Sequence, residues 1–305
     1  MKMGAGLRRF VIMLGLASCA AAPAAVLAKE PLRLAPSSKW HVNYGKDSCR
    51  LARSFGTEDD QILLTLDRFQ PGPMVYLTLI GRPVSVRCAA REVTLQFGPV
   101  EPKQERSFSV GSLSGGKPAV IVDRSLLLVD GGPEWEATDT AKPPEERGRK
   151  LPFIDPARYA SVTYLAVDIR GKRPLILETG SIVAAETALA ACTDDLLSGW
   201  GIDVAAHRGL SRIATPKDSP GDWLTSNDYP MAMLHGGNQA NVDFRLIVDE
   251  MGKPKSCHIQ QSTRPEAFDS AVCKGIMRRA TFEPALDAGG KPVASYYLNR
   301  VRFRM

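Results

Sequence analysis

Histidine is scarce in this 305-residue chain. Only His41, His207, His235 and His258 occur, and none belongs to an H-E-x-x-H pair, so the helix-borne zinc site built on that motif is excluded. No G-x-S-x-G stretch exists, which removes the strand–turn–helix nucleophile elbow. No C-x-x-C pair exists either, leaving a zinc ribbon or a thioredoxin-type redox site without support. Blocks of five like charges are absent. The densest basic stretch, Arg300, Arg302 and Arg304, alternates along a strand-like segment and reads as a solvated strand face, with no nucleic-acid partner implied. Beyond the first thirty residues no apolar run reaches membrane-spanning length, which excludes a multi-spanning protein. No internal repeat is found.

What is present is a globular composition, 44% hydrophobic and 24% charged, which excludes a collagenous or wholly disordered chain. The length suggests two domains. Lys2, Arg8 and Arg9 precede the apolar Phe10–Leu16 and a tract of small residues, the arrangement of an export leader over residues 1–28. Val26-Leu27-Ala28 sets the expected cleavage before Lys29, and losing the leader takes the net charge from +6 to +3. Leu16-Ala17-Ser18-Cys19 offers a lipoprotein pattern as an alternative, with a lipid on Cys19. An uncleaved membrane anchor is the third option, although Pro23 and many alanines make a poor span. All three deliver the chain to an oxidising compartment outside the cytoplasm, membrane-attached in the second and third cases.

Six cysteines occur: Cys19, Cys49, Cys88, Cys192, Cys257 and Cys273. Setting Cys19 aside leaves an odd number, hence two bridges and a free thiol, or an intermolecular link. Cys257 lies on a strand and Cys273 on the helix that follows, so a bridge between them is expected. Cys49 with Cys192 would tie the first strand to the last helix of the front part. Reduced, buried thiols at Cys49, Cys88 and Cys192 are the alternative.

From Trp40 to Asp130 apolar residues alternate with polar ones: Ile62, Leu64 and Leu66; Val75, Leu77 and Leu79; Val93, Leu95 and Phe97; then the longer run Val120–Val129. Gly/Pro turns separate them, which predicts a mostly antiparallel sheet with one buried face. Gly131–Lys150 reads as a long polar loop. Strand-like Ser161–Asp168 and Arg173–Glu178 follow. Leu189, Cys192, Leu196 and Leu197 then predict a helix over Val183–Gly199. Residues 29–212 are thus expected to form a β-rich α+β domain of unknown role, and residues 213–221, with two prolines and a glycine, a short stiff linker.

Pattern changes in residues 222–305. A short helical stretch follows Asn227-Asp228-Tyr229-Pro230. Val242, Phe244, Leu246 and Val248 alternate with Asp243, Arg245 and Asp249, and Lys255–Gln261 is a second strand. Arg264–Ala280 is a helix with Phe268, Val272 and Ile276 on one face. Ser295–Met305 is a terminal strand with Tyr297, Val301, Phe303 and Met305 on one side. The order is ββαβ, a three-stranded antiparallel sheet packed on a helix.

This ending resembles the C-terminal domain of the TonB family. The matching residues are Asp228-Tyr229-Pro230, Val242 to Asp249, Gly252, Cys257-His258-Ile259, Phe268-Asp269, Ala271, Arg278-Arg279-Ala280, Phe282-Glu283-Pro284-Ala285 and Val301-Arg302-Phe303. Arg264 departs from the pattern, where the family usually has glycine. The resemblance implies a non-enzymatic domain that docks on outer-membrane receptors in envelope transport by accepting the receptor's N-terminal box as an added β-strand. A strand with one neighbour leaves its outer main-chain groups open to such pairing. The candidate contacts are Tyr229, Pro230, Tyr296, Leu298, Arg300, Arg302 and Arg304, with the arginines favouring an acidic partner. The same edge could pair with a second copy to give a homodimer. No His precedes His41 and no long Pro-rich spacer is present, both of which the family's energy transducers have, so full energy transduction is not expected.

Gly111-Ser112-Leu113-Ser114-Gly115-Gly116-Lys117 nearly matches a phosphate-binding loop. Pro118 stands where a magnesium-ligating hydroxyl is needed and a strand follows, so a hairpin is expected. Asp194-Asp195 are helix neighbours that do not face each other. His258 is expected on an exposed polar strand face. No cofactor or metal is implied. An enzyme with an unrecognised active site in the front domain is the alternative reading.

Overall fold

The computed structural model describes residues 30–305 apart from 73, 87–91, 114, 127–155 and 264. The export leader with Cys19, Cys88, Trp135, the expected loop Gly131–Lys150 and Arg264 lie outside the described residues.

The front part is built from β1 (Leu32–Leu34), β2 (His41–Tyr44), β3 (Cys49–Phe55), β4 (Ile62–Arg68), β5 (Met74–Ile80), β6 (Glu92–Gly98), β7 (Gln104–Leu113), β8 (Lys117–Leu126), β9 (Tyr164–Ile169) and β10 (Leu175–Leu177). Helices α1 (Pro156–Ser161), α2 (Val183–Gly199) and α3 (Val204–Arg208) complete it. The alternation expected of β5 and β6 holds, with Val75, Leu77, Leu79, Val93, Leu95 and Phe97 buried in one cluster with Leu64 and Leu66 of β4. β4 departs from it, because Thr65 and Asp67 on its other face are buried as well. The strands form one sheet in the order β1-β10-β9-β6-β7-β8-β5-β4-β3-β2. All pairs are antiparallel except β1 with β10. β7 turns the corner, pairing through Gln104–Ser107 with β6 and through Phe108–Leu113 with β8.

The start of the chain joins the two ends of this sheet. Leu32–Leu34 pair with β10, while just beyond them the Gly56 N–H donates to the Ala35 carbonyl at 2.8 Å and the Ser37 N–H to the Ser54 carbonyl at 2.9 Å. The sheet therefore closes on itself through the end of β3, while β2 beside it has no second partner strand among the described residues. Helix α2 has the expected bounds and buries Leu189, Cys192, Leu196 and Leu197. Cys192 is bonded to Cys49 of β3 across 143 residues, so the reduced-thiol alternative does not hold for this pair. The near-phosphate-loop segment is the turn of the β7–β8 hairpin, with Gly115 and Gly116 at positive φ.

After β11 (Thr215–Pro216), helix α4 (Met231–His235) leads into β12 (Ala240–Val248) and β13 (Pro254–Ser262). Helix α5 (Ala267–Arg279) follows, then short β14 (Phe282–Glu283), β15 (Ala285–Leu286) and β16 (Pro292–Val293), then β17 (Ser295–Phe303). α5 is three residues shorter at its start than the sequence suggests and ends one residue earlier. β13, β12 and β17 form an antiparallel sheet in that order; β11 pairs with β14 and β15 with β16. Val242, Phe244, Leu246, Val248, Phe268, Val272, Ile276 and Phe303 share a second core. The terminal strand stops at Phe303, and Met305, expected on its apolar side, is exposed. Cys257 of β13 is bonded to Cys273 of α5.

Candidate partner-docking edge

β17 pairs with β12 over its whole length, from Ser295 opposite Val248 to Phe303 opposite Ala240. Among the described residues no strand pairs with its other side. The hydrogen bonds of Asn241 settle which main-chain groups face that open side. Its N–H donates to the Thr263 hydroxyl at 2.9 Å and its carbonyl accepts the Thr263 N–H at 3.1 Å, both away from β17. Arg302, opposite Asn241, is therefore in a non-hydrogen-bonded pair and turns its own N–H and C=O outward. By alternation Tyr296, Leu298 and Arg300 do the same. The Arg300 N–H is already held by the Asn299 side-chain carbonyl at 2.8 Å, while the Asn299 amide donates to the Tyr297 hydroxyl at 2.8 Å.

The side chains of the expected contacts are not gathered in one place. Tyr229 donates its hydroxyl to the Asn238 carbonyl at 2.5 Å and packs its ring edge-on against Phe268 and Phe303. Pro230 caps the start of α4. Just before Tyr229, Thr225 and Asp228 form a capping box. The Asp228 carboxyl is held down at about 2 by the Thr225 N–H and by Arg279. Tyr296 lies at the opposite end of β17 from Phe303, about 23 Å along the strand, and only 8% of its surface is exposed. Arg300 forms a two-pronged pair with Asp243 at 2.7 and 2.9 Å. Arg304 donates to the Gln239 and Asn241 side-chain carbonyls at 3.3 and 3.2 Å. Arg302 is exposed and without an ion-pair partner among the described residues, and it is the free cation within β17 itself; Arg304, beyond the strand end, is exposed and held by neutral amides.

A feature the sequence reading missed is that the sheet face opposite α5 is covered by the front part. Tyr296 joins Leu197 and Ile202 in a third buried cluster, with Trp200, Val204, Ile247 and Leu298 packed against it. The Arg245 guanidinium lies 4.0 Å from the centre of the Trp200 ring and its side chain is buried. Asp47, at the end of the β2–β3 turn, stands 3.6 Å from Arg245 and 2.9 Å from His258 Nε2. Burial lowers the Arg245 pKa and Asp47 opposes the shift. His258 is thus partly exposed but paired with a carboxylate. His207 of α3 stacks on Tyr296 at 5.2 Å, and burial drives its pKa down to about 4. The signal was available: Ile247, Tyr296 and Leu298 are large apolar residues on a face that Asp243 and Arg245 make look solvated.

The front core carries a buried charge pair, Arg68 with Glu186 at 2.8 Å, beside a small apolar cavity lined by Trp40, Leu66, Phe97 and Glu186. Among the described residues no three His, Cys, Asp or Glu side chains cluster in a way that could hold a metal ion. No described helix is long and apolar enough to cross a membrane.

Residues 225–305 match the family model described as the Gram-negative bacterial TonB protein C-terminal, and the matched segment holds β12, β13, α5 and β17 with the open edge. No curated protein matches the chain.

Proposed function

From a TonB-type C-terminal segment fused to a closed β-rich front part, we propose that the chain is a non-enzymatic periplasmic envelope protein. It binds the N-terminal peptide of an outer-membrane receptor by strand addition to β17. It divides into a front part over residues 29–212 and a docking domain at 222–305 with ββαβ order. The segment 213–221, expected as a stiff linker, is packed on the docking domain, with Ala214 in its core and Thr215–Pro216 paired with Phe282–Glu283. The observation that carries the reading is the outward main chain at Leu298 and Arg302 on a strand with one neighbour, Tyr296 at the far end being covered by the front part. Main-chain pairing supplies affinity there, and Arg302 favours an acidic residue on the incoming strand. The front part takes the place of a long reaching spacer, which fits docking better than energy transduction.

The test is calorimetric titration of the full chain with a receptor-plug peptide, with circular dichroism as the folding control. Arg302→Ala should weaken binding modestly and mainly at low salt. Arg302→Pro removes an outward donor while the inward ladder stays intact, and should weaken it about tenfold or more. A folded Arg302→Pro protein that binds as tightly as wild type would refute pairing at this edge. If β17 instead joins a second copy, light scattering will show a dimer that Arg302→Pro dissociates.

A further inference from the structure

Two aromatic rings of the front part sit outside its core. Val75, Leu77 and Leu79 of β5 point into the core cluster, so Tyr76 between them points out of it. Phe69, just after β4, meets Tyr76 edge to face at 5.1 Å, and both rings are half-buried. What they face is the C-terminal sheet: Phe69 and Tyr76 share a crevice with Asp243, Gln260, Gln261, Leu298 and Asn299. Leu298 and Asn299 belong to the middle of β17, and Leu298 is one of the residues whose main chain turns to the open edge.

We propose that Phe69 and Tyr76 form a wall of the docking groove and select the side chain that the incoming strand places beside Leu298. The proposal rests on the docking reading above. A strand added to β17 lies about 4.8 Å away, and its side chains alternate between the two sheet faces. Those on the α5 side meet the C-terminal domain alone. Those on the other side fall on the face that Leu298, Arg300 and Arg302 share, the face the front part covers. The position opposite Leu298 then meets an aromatic edge-to-face pair, which suits a branched apolar or aromatic side chain. Arg300 adds no net charge there because Asp243 neutralises it. Four residues along the same face, Arg302 is exposed and without an ion-pair partner among the described residues. The partner segment that fits is extended, with an apolar and an acidic side chain four residues apart on one face. The front part thereby reads side chains, while β17 itself holds main chain.

The experiment uses the full chain, the receptor-plug peptide and its single-lysine scan, read by calorimetry. In wild type, lysine at one apolar position should weaken binding about tenfold, the scale of an aromatic contact. In the Phe69→Ala/Tyr76→Ala protein that penalty should disappear while the parent peptide still binds. Phe69→Leu/Tyr76→Leu should keep part of it, which guards against a fold lost through truncation. If the alanine protein is folded, binds, and shows the same penalty at the same position, the groove wall is wrong and the docking edge stands. If wild type binds no peptide, the docking edge itself fails and takes the groove wall with it.

Discussion

Acidification should loosen the contact between the two parts of the molecule through His207. In the native state its imidazole is stacked on Tyr296 and 4% exposed, and burial lowers its pKa from 6.5 to about 4 against the pull of Asp194. The unfolded chain therefore binds the proton first as pH falls. Stability is fully present above the unfolded value and is lost as pH drops from about 6.5 towards 4. The difference amounts to about 2 kcal/mol at pH 5 and about 3 kcal/mol at pH 4. Urea unfolding of the full chain at pH 7, 6, 5 and 4, followed by tryptophan fluorescence because Trp200 packs on the same Tyr296, measures this directly. His207→Gln carries no titrating group, so its stability should fall less steeply, and the wild-type-minus-variant difference should shift by about 2 kcal/mol between pH 7 and pH 5. Parallel curves for the two proteins over that range would show that His207 is not buried neutral against Tyr296.

Other outcomes follow from the same coordinates. Replacing Cys257 and Cys273 together with serine should cost about 3 kcal/mol on the loop-entropy estimate, measured by urea unfolding, and non-reducing peptide mapping should recover the Cys257–Cys273 and Cys49–Cys192 pairs. Gly252→Ala should cost at least about 2 kcal/mol, seen as a lower Tm, because Gly252 has φ +77° and an added Cβ would lie 2.0 Å from the Phe282 carbonyl oxygen. Trp200→Ala should raise hydrogen exchange along Ile247 and Tyr296 while leaving the front strands protected, since Trp200 covers Arg245 and Tyr296. Mass spectrometry of the processed protein should give an N-terminus at Lys29; a lipid on Cys19 or an intact Met1 would instead select one of the other two leaders.

How far the sequence could be read depended on whether neighbours in space were also neighbours in the chain. Helix α2 and strand β12 declare themselves locally, because Leu189, Cys192 and Leu196, or Val242, Phe244 and Leu246, repeat with the period of their own element. Both disulfides were legible too, since each joins elements whose pairing could be guessed from their order. The closure of the front sheet was not. Leu32–Leu34 is too short to show a period, and its partners lie at Leu175–Leu177. Nor was the cover over the C-terminal sheet. Asp243 and Arg245 follow the alternation of a solvated face, yet Arg245 is buried under Trp200 and Asp243 is occupied by Arg300. Charge at alternate positions says that a face is polar; it does not say that water reaches it.

The way the chain start holds the sheet together sets the order in which this protein can be made. A ribosome releases Leu32–Leu34 long before the strand it pairs with, Leu175–Leu177, emerges. The same wait applies to Cys49, whose thiol must persist until Cys192 arrives 143 residues later. The hairpins β4–β5 and β7–β8 can form as they appear, because their strands are joined by short turns. The closure of the sheet, by contrast, needs a long loop to be drawn in, which is entropically costly. Until then the inward faces of β3 to β6 lack the partners that bury them in the closed sheet.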